Sequence, residues 1–149
     1  DSLTQLGEGP FLTSLPDGAF KNCSGLQSIT LPDSLSCSGL QSITLPPGLT
    51  SLPDHTFFSC VQLQSITLPP RPHLSSRRDS LTQLGEGPFL SCSGLQSINL
   101  SPGLVTIPKE AFSECNHLSE IHFHDGLNMI GSKAFSVCTA LTSITLPDS

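Results

Sequence analysis

The sequence contains no Trp and no Tyr, and only 6 of its 149 residues are Lys or Arg. Without these two aromatic residue types, the chain lacks the usual platform for stacking sugars. The 12 Asp and Glu residues give a net charge of −6, which repels nucleic-acid phosphates and anionic lipid. No apolar run approaches the roughly 18 residues that a membrane helix needs. These absences argue against nucleic acid as a partner and against membrane insertion of this fragment.

Residue types that serve in catalysis are present, but not in catalytic patterns. Serine is abundant, yet no Ser/His/Asp constellation, nucleophile elbow or phosphate-binding loop occurs. The six cysteines show neither a C-x-x-C pair nor the Cys/His spacing of a zinc site. The sequence therefore predicts a protein that is not an enzyme and that holds no cofactor.

What the sequence does contain is an internal repeat. The segment DSLTQLGEGPFL at 1–12 recurs unchanged at 79–90. Units of 23 residues, such as those at 102–124 and 125–147, place their apolar residues in the same columns. Counted from one predicted strand end to the next, the chain divides into six units: 1–32, 33–46, 47–69, 70–101, 102–124 and 125–147. We interpret 1–149 as one repeat array, a fragment of a longer array without clear caps.

Each unit predicts one turn of a solenoid, which we call a coil. The segment LQSITL has the apolar spacing of a short strand, and the Pro or Ser that follows ends that strand. The rest of the unit returns along the opposite side with a Phe and a Cys inward, as a 3₁₀ turn, a short helix or an irregular stretch. A single coil cannot bury its apolar face, so we expect stacked coils whose strands form a parallel sheet.

The unit with Ala-Phe, then Cys, then L-x-x-I-x-L-P resembles the BspA-like, or Treponema-type, leucine-rich repeat family over essentially the whole chain. The resemblance implies a leucine-rich-repeat solenoid with 23-residue repeats. It also implies an extracellular or cell-surface protein that binds matrix proteins, host proteins or neighbouring cells. No site residue is implied. We therefore expect a non-catalytic protein-interaction module for adhesion, with a structural spacer or stalk as the alternative.

One predicted strand departs from the others. Most strands present Ser and Thr outward, but LSEIHFH at 118–124 presents Glu120, His122 and His124 instead, with His117 and Asp125 near them. Two imidazoles and a carboxylate on one strand face are compatible with a partner contact, a pH-sensitive patch, a metal site or simple solvation. We take them as candidate partner-contact residues and assign no metal.

A second candidate contact lies in the insert PRPHLSSRR at 70–78, which holds Arg71, Arg77 and Arg78, all the arginines of the chain. Arginine is favoured at interface hot spots. Phe58 and Leu90 are possible exposed apolar neighbours. The alternative is a disordered basic loop.

The remaining expectations concern the core, the short unit, glycosylation and the ends. The cysteines occupy one column, which predicts a ladder of buried, reduced thiols.

Residues 32–39 of the short unit have no Phe, so we expect a local packing defect there. Asn22 and Asn99 stand in weak N-glycosylation patterns. The array begins and stops at the same phase of the repeat, so we expect end-to-end self-association of the isolated fragment.

Overall fold

A computed structural model describes residues 40–45, 51–68 and 81–147. These residues form eight strands of two or three residues each: β1 Ser42–Thr44, β2 Ser51–Leu52, β3 Ser65–Thr67, β4 Gln83–Leu84, β5 Ser97–Asn99, β6 Thr106–Ile107, β7 Glu120–His122 and β8 Met129–Ile130. The short unit's residues 32–39, the Arg insert and Asn22 lie outside the described residues.

The main sheet is parallel and follows the repeat. Its strand order is β1-β3-β5-β7, so each strand pairs with the corresponding strand of the next coil. The central isoleucines stand in register, and each is buried: Ile43, Ile66, Ile98 and Ile121. Because side chains alternate along a strand, the residues on either side of each isoleucine point outward. The expected stack of short parallel strands is confirmed.

The strand expected at Ser143–Thr145 is not formed. Residues 141–147 contain no strand, and β7 is the edge of the main sheet within the described residues. Ile144 and Leu146 are 39% and 54% exposed, whereas Ile121 is 9% exposed. Strand pairing depends on the burial of such side chains, so this segment lacks the packing that would hold it against β7.

A second set of strands is divided into two pairs, β2 with β4 and β6 with β8. The residue after each strand explains the division, because this column reads Pro53, Gly85, Pro108 and Gly131 in successive coils. Gly85 and Gly131 donate their N–H groups to Leu52 and Ile107 of the preceding coil, at 2.8 and 2.7 Å. Pro108 has no N–H to donate, and no pairing joins β4 to β6 in the described part of the chain.

The return segments are successive β-turns. In coil 102–124, Ser113 N–H donates to the Glu110 carbonyl and Cys115 N–H to that of Phe112, both at 3.2 Å. Glu110 and Glu114 have φ of 56° and 63°, in the left-handed region that interrupts a right-handed helix. The same two columns are left-handed in the neighbouring coils: His55, Ser59, Gly87, Ser91, Lys133 and Val137. Of the expected forms, the described residues show the irregular one and contain no helix.

The core lies between the main sheet and the return segments. Its centre is a column of nearly parallel phenylalanine rings, with centroids 5.2 to 5.5 Å apart: Phe57, Phe89, Phe112 and Phe135. Beside it runs the cysteine column, whose described members are free thiols: Cys60, Cys92, Cys115 and Cys138. The last three each donate their S–H to a Phe carbonyl of the preceding coil, at 3.0 to 3.2 Å. These columns link one coil to the next.

The cysteine ladder has the expected chemistry. Cys60, Cys92 and Cys115 are buried, while Cys138 is half-buried. Burial, with a smaller effect of the neighbouring Cys138, raises the pKa of Cys115 to about 12. Burial also raises the pKa of Cys138. Thiols held protonated in this way are poor nucleophiles, so Cys115 and Cys138 have a structural role.

Candidate protein-binding surface

The outer face of the main sheet, which we call the strand face, is flat and mostly neutral. On β3 it presents Ser65 and Thr67, and on β5 Ser97 and Asn99, all exposed. The isoleucine between each pair points to the core, so the outward residues are small and polar by position. Such a surface offers few anchors for a small molecule.

The strand face changes at β7. Glu120 and His122 flank the buried Ile121, and their side chains are 63% and 57% exposed. His122 Nε2 lies 3.1 Å from Glu120 Oε1. Glu120 stands opposite Ser97 of β5, and His122 stands opposite Asn99. The main sheet thus places a carboxylate and an imidazole in contact where the preceding strands present small polar groups.

His124 joins this group from beyond the strand end. Its Nε2 forms a 3.0 Å hydrogen bond with Asn99 Oδ1 of β5. Since Asn99 also stands opposite His122 in the ladder, Asn99 and the three predicted residues lie together on the strand face. We call Asn99, Glu120, His122 and His124 the β7 cluster.

Two residues expected nearby do not join the β7 cluster. His117 Nδ1 lies 2.6 Å from the Ser93 carbonyl oxygen, in the segment before the strand. Asp125 is exposed, and no hydrogen bond or ion pair joins it to the β7 cluster in the described structure. Within residues 40–45, 51–68 and 81–147, no group of three or more His, Cys, Asp or Glu side chains is placed to hold a metal ion.

Asn99 is the cluster member that the sequence pattern did not single out. The signal was present, because Asn99 occupies a column that holds Thr44 and Thr67 in earlier coils. Asn99 also stands in the glycosylation pattern, and its side chain is exposed on the strand face.

The part of the chain that the structure describes has no helix able to cross a membrane.

The stacked coils and their short parallel strands define the class of protein, a leucine-rich-repeat solenoid. The family model described as BspA type Leucine rich repeat region matches the chain in 6 copies, over residues 2–39, 13–80 and 36–149. The chain belongs to this family, which confirms the resemblance seen in the sequence.

A solved structure shows the same fold. A T. pallidum Leucine Rich Repeat protein is similar at a TM-score of 0.65 and 25% identity, over 84% of this chain and 56% of that one. The chain therefore spans little more than half of that relative.

Two further structures match at lower TM-scores. A leucine-rich repeat protein from Bacteroides ovatus gives 0.42 at 29% identity, over 88% of this chain and 45% of its own. A leucine rich cell surface protein from Faecalibacterium prausnitzii gives 0.45 at 27%, over 68% and 31%. Among proteins of curated function, none matches the chain significantly.

Proposed function

We propose that the chain is a non-catalytic protein-interaction module of an extracellular or cell-surface protein. It binds matrix or cell-surface proteins through the strand face, and the β7 cluster is the main contact. The observation that carries the proposal is the interruption of a uniform polar face by a contiguous group of exposed, hydrogen-bonding side chains. Membership of the BspA-type repeat family supports an adhesive role, as the resemblance implied.

The β7 cluster suits a polar protein partner. Glu120 accepts hydrogen bonds and the Asn99 NH2 group donates them. Nε2 of His122 and His124 donates to Glu120 Oε1 and Asn99 Oδ1, so Nδ1 of each neutral imidazole remains as an acceptor for a partner. The Glu120–His122 contact holds both side chains close together, so a partner meets a partly ordered surface. Ordering in advance reduces the entropy that binding costs. Mixed donors and acceptors at fixed positions recognise peptide groups and polar side chains.

The size of the strand face limits the strength of this contact. Four strands at about 4.8 Å spacing span roughly 14 Å, and three residues extend about 10 Å along each strand. A standard interface buries about 800 Å² on each partner, several times the area of this patch. We therefore expect weak binding by these four strands alone. Tight adhesion would come from many coils or many copies acting together.

The test is binding to a panel of immobilised matrix and plasma proteins, measured with the 149-residue chain. A triple variant, Glu120→Ser, His122→Ser and His124→Ser, restores the polarity of the other strands and leaves the core unchanged. Glu110→Ser serves as the matched control, because it removes the same single negative charge from the return side. We expect saturable binding that the triple variant loses and the control keeps.

Two results would contradict this proposal. Binding retained by the triple variant would place the contact elsewhere, with the Arg71, Arg77 and Arg78 insert as the next candidate. Absence of binding by the chain to every protein of the panel would favour the second function, a spacer or stalk in a larger repeat protein. The uniform Ser and Thr residues of the earlier strands favour that second function, because a spacer needs length and no specific surface.

A further inference from the structure

A second unusual surface lies on the return side, between residues 51–68 of unit 47–69 and residues 81–101 of unit 70–101. Phe58 is 49% exposed and Leu90 is half-buried. In the two following coils the same column holds Ser113 and Ser136. Two adjacent coils therefore present large apolar side chains at a position that is Ser in the two following coils.

His55 and Gly87 make this surface continuous. The His55 ring meets the Phe58 ring edge-on, with centroids 6.0 Å apart. A Cβ atom on Gly87 would lie 2.9 Å from His55 Nδ1 and 3.3 Å from Leu90 Cβ. Gly87 thus leaves room for the His55 ring to reach across to the next coil. The same column holds Glu110 and Lys133 in the later coils, where side chains replace the bare backbone.

Among the described residues, acidic groups flank this surface. Residues 51–68 and 81–100 contain Asp54 and Glu86 but no Lys or Arg. Asp54 Oδ1 accepts a 2.7 Å hydrogen bond from the Glu86 N–H, which ties the two acidic residues together across the coils. Lys109 of the following coil approaches Glu86 only at 4.0 Å, and water screens such an exposed pair strongly. Within the described residues, the apolar surface therefore has a negative rim.

We propose that this return-side patch binds an extended protein segment in which Arg or Lys stands next to an apolar side chain. The patch consists of His55, Phe58, Gly87 and Leu90, with Asp54 and Glu86 as its rim. The exposed face of Phe58 attracts a guanidinium group, the carboxylates pair with it, and Leu90 contacts the apolar residue. The patch is separate from the strand face, so the inference does not depend on the proposed function.

The probe is a short fluorescein-labelled peptide of alternating Arg, Leu and Ser, compared with the same peptide carrying Glu in place of Arg. Fluorescence anisotropy is measured during titration with the 149-residue chain. The double variant Phe58→Ser and Leu90→Ser introduces the residue that this column holds in the regular coils. Val105→Thr is the matched control, because Val105 is 48% exposed and its column holds Thr82 in the preceding coil. The strand-face triple variant is titrated in parallel.

We expect the Arg peptide to bind saturably, and the double variant to weaken binding at least tenfold. The Val105→Thr control and the strand-face triple variant should bind as the unchanged chain does, and the Glu peptide should not bind. Circular dichroism spectra identical to that of the unchanged chain would show that the double variant is folded. Equal binding of both peptides, binding that survives the double variant, or no binding of the Arg peptide would each overturn the inference. Loss of peptide binding only in the triple variant would do so too, and would move the peptide site to the strand face.

Discussion

Replacing Gly131 by Ala tests how the coils are packed. Gly131 lies against the backbone of the preceding coil, where a Cβ atom would stand 2.5 Å from Lys109 N and 2.6 Å from the Pro108 carbonyl carbon. Ordinary contacts of this kind are about 3.5 Å, so the two backbones must separate by roughly 1 Å. Backbone atoms cannot rotate away as a side-chain end can. The strain therefore falls on the contact between two coils.

The free energy of unfolding is expected to fall by about 2 kcal/mol. Overfilling a packed site costs about 1–3 kcal/mol. Moving the backbones apart also breaks the 2.7 Å hydrogen bond from Gly131 to Ile107, which contributes about 1 kcal/mol. The smaller conformational entropy of the unfolded Ala chain offsets about 0.4–1 kcal/mol of this loss.

Urea unfolding followed by circular dichroism measures this change, since a chain without Trp and Tyr gives little intrinsic fluorescence. Hydrogen exchange at Gly131 and Met129 should show the loss locally. Ser132→Ala is the control, because Ser132 is exposed and its substitution should change stability by less than about 0.5 kcal/mol. If Gly131→Ala lowered the free energy of unfolding no more than Ser132→Ala does, the coils could not approach each other as closely at Gly131 as described.

Three further predictions follow from strain, protonation and exposed apolar surface. Val137 is β-branched and exposed, and its backbone is left-handed with φ of 61°. Because Ser91 occupies the same column, Val137→Ser should raise the free energy of unfolding by up to about 1 kcal/mol in urea unfolding. A lowered urea midpoint would contradict this. The raised pKa of Cys115, from 9.0 to about 12, stabilises the folded chain fully below pH 9, and this stabilisation is lost as pH rises toward 12. The Tm of Cys115→Ala should therefore fall less than that of the unchanged chain between pH 9 and 12. An equal fall in Tm would contradict the raised pKa. Coil 125–147 exposes Met129 and Leu146, so the 149-residue chain should self-associate in sedimentation velocity and Met129→Ser with Leu146→Ser should weaken this; a monodisperse monomer at high concentration would refute it.

Periodicity predicted the part of the fold that depends on side-chain burial. The L-x-x-I-x-L spacing located β1, β3 and β5, and the same spacing with Phe123 in the last position located β7, because alternation along a strand determines which side chains reach the core. It failed at Ser143–Thr145, where the pattern is the same but Ile144 is left exposed. A repeated pattern specifies a strand only when the chain around it buries the pattern.

Backbone features were harder to infer from the sequence. The column that alternates between Pro and Gly was visible in the sequence. Its effect on strand pairing depends on the structure, because Pro108 interrupts the pairing only if its position requires an N–H donor to the preceding coil. The residues with left-handed backbone are of many types, among them Glu114 and Val137, so residue type did not predict this conformation. Their positions follow from the tight turns that bring Phe and Cys inward.

The candidate surfaces differ in the same way. Glu120, His122 and His124 were predicted from their departure from the Ser/Thr columns. Asn99 entered the β7 cluster only through the hydrogen bond from the next coil. The approach of the His55 ring to Gly87 likewise joins two coils, and distances between coils are not contained in a single repeat.

The most direct test of the central claim is a hydrogen-exchange footprint of the chain bound to a protein selected from the panel. We expect binding to slow exchange at residues 96–99 and 119–124, on β5, β7 and the segment that carries His124. Exchange at 55–61 and 87–90 should be unchanged by such a partner. A footprint that omits 119–124, with protection on the return side or elsewhere, would contradict the assignment of the strand face as the binding surface.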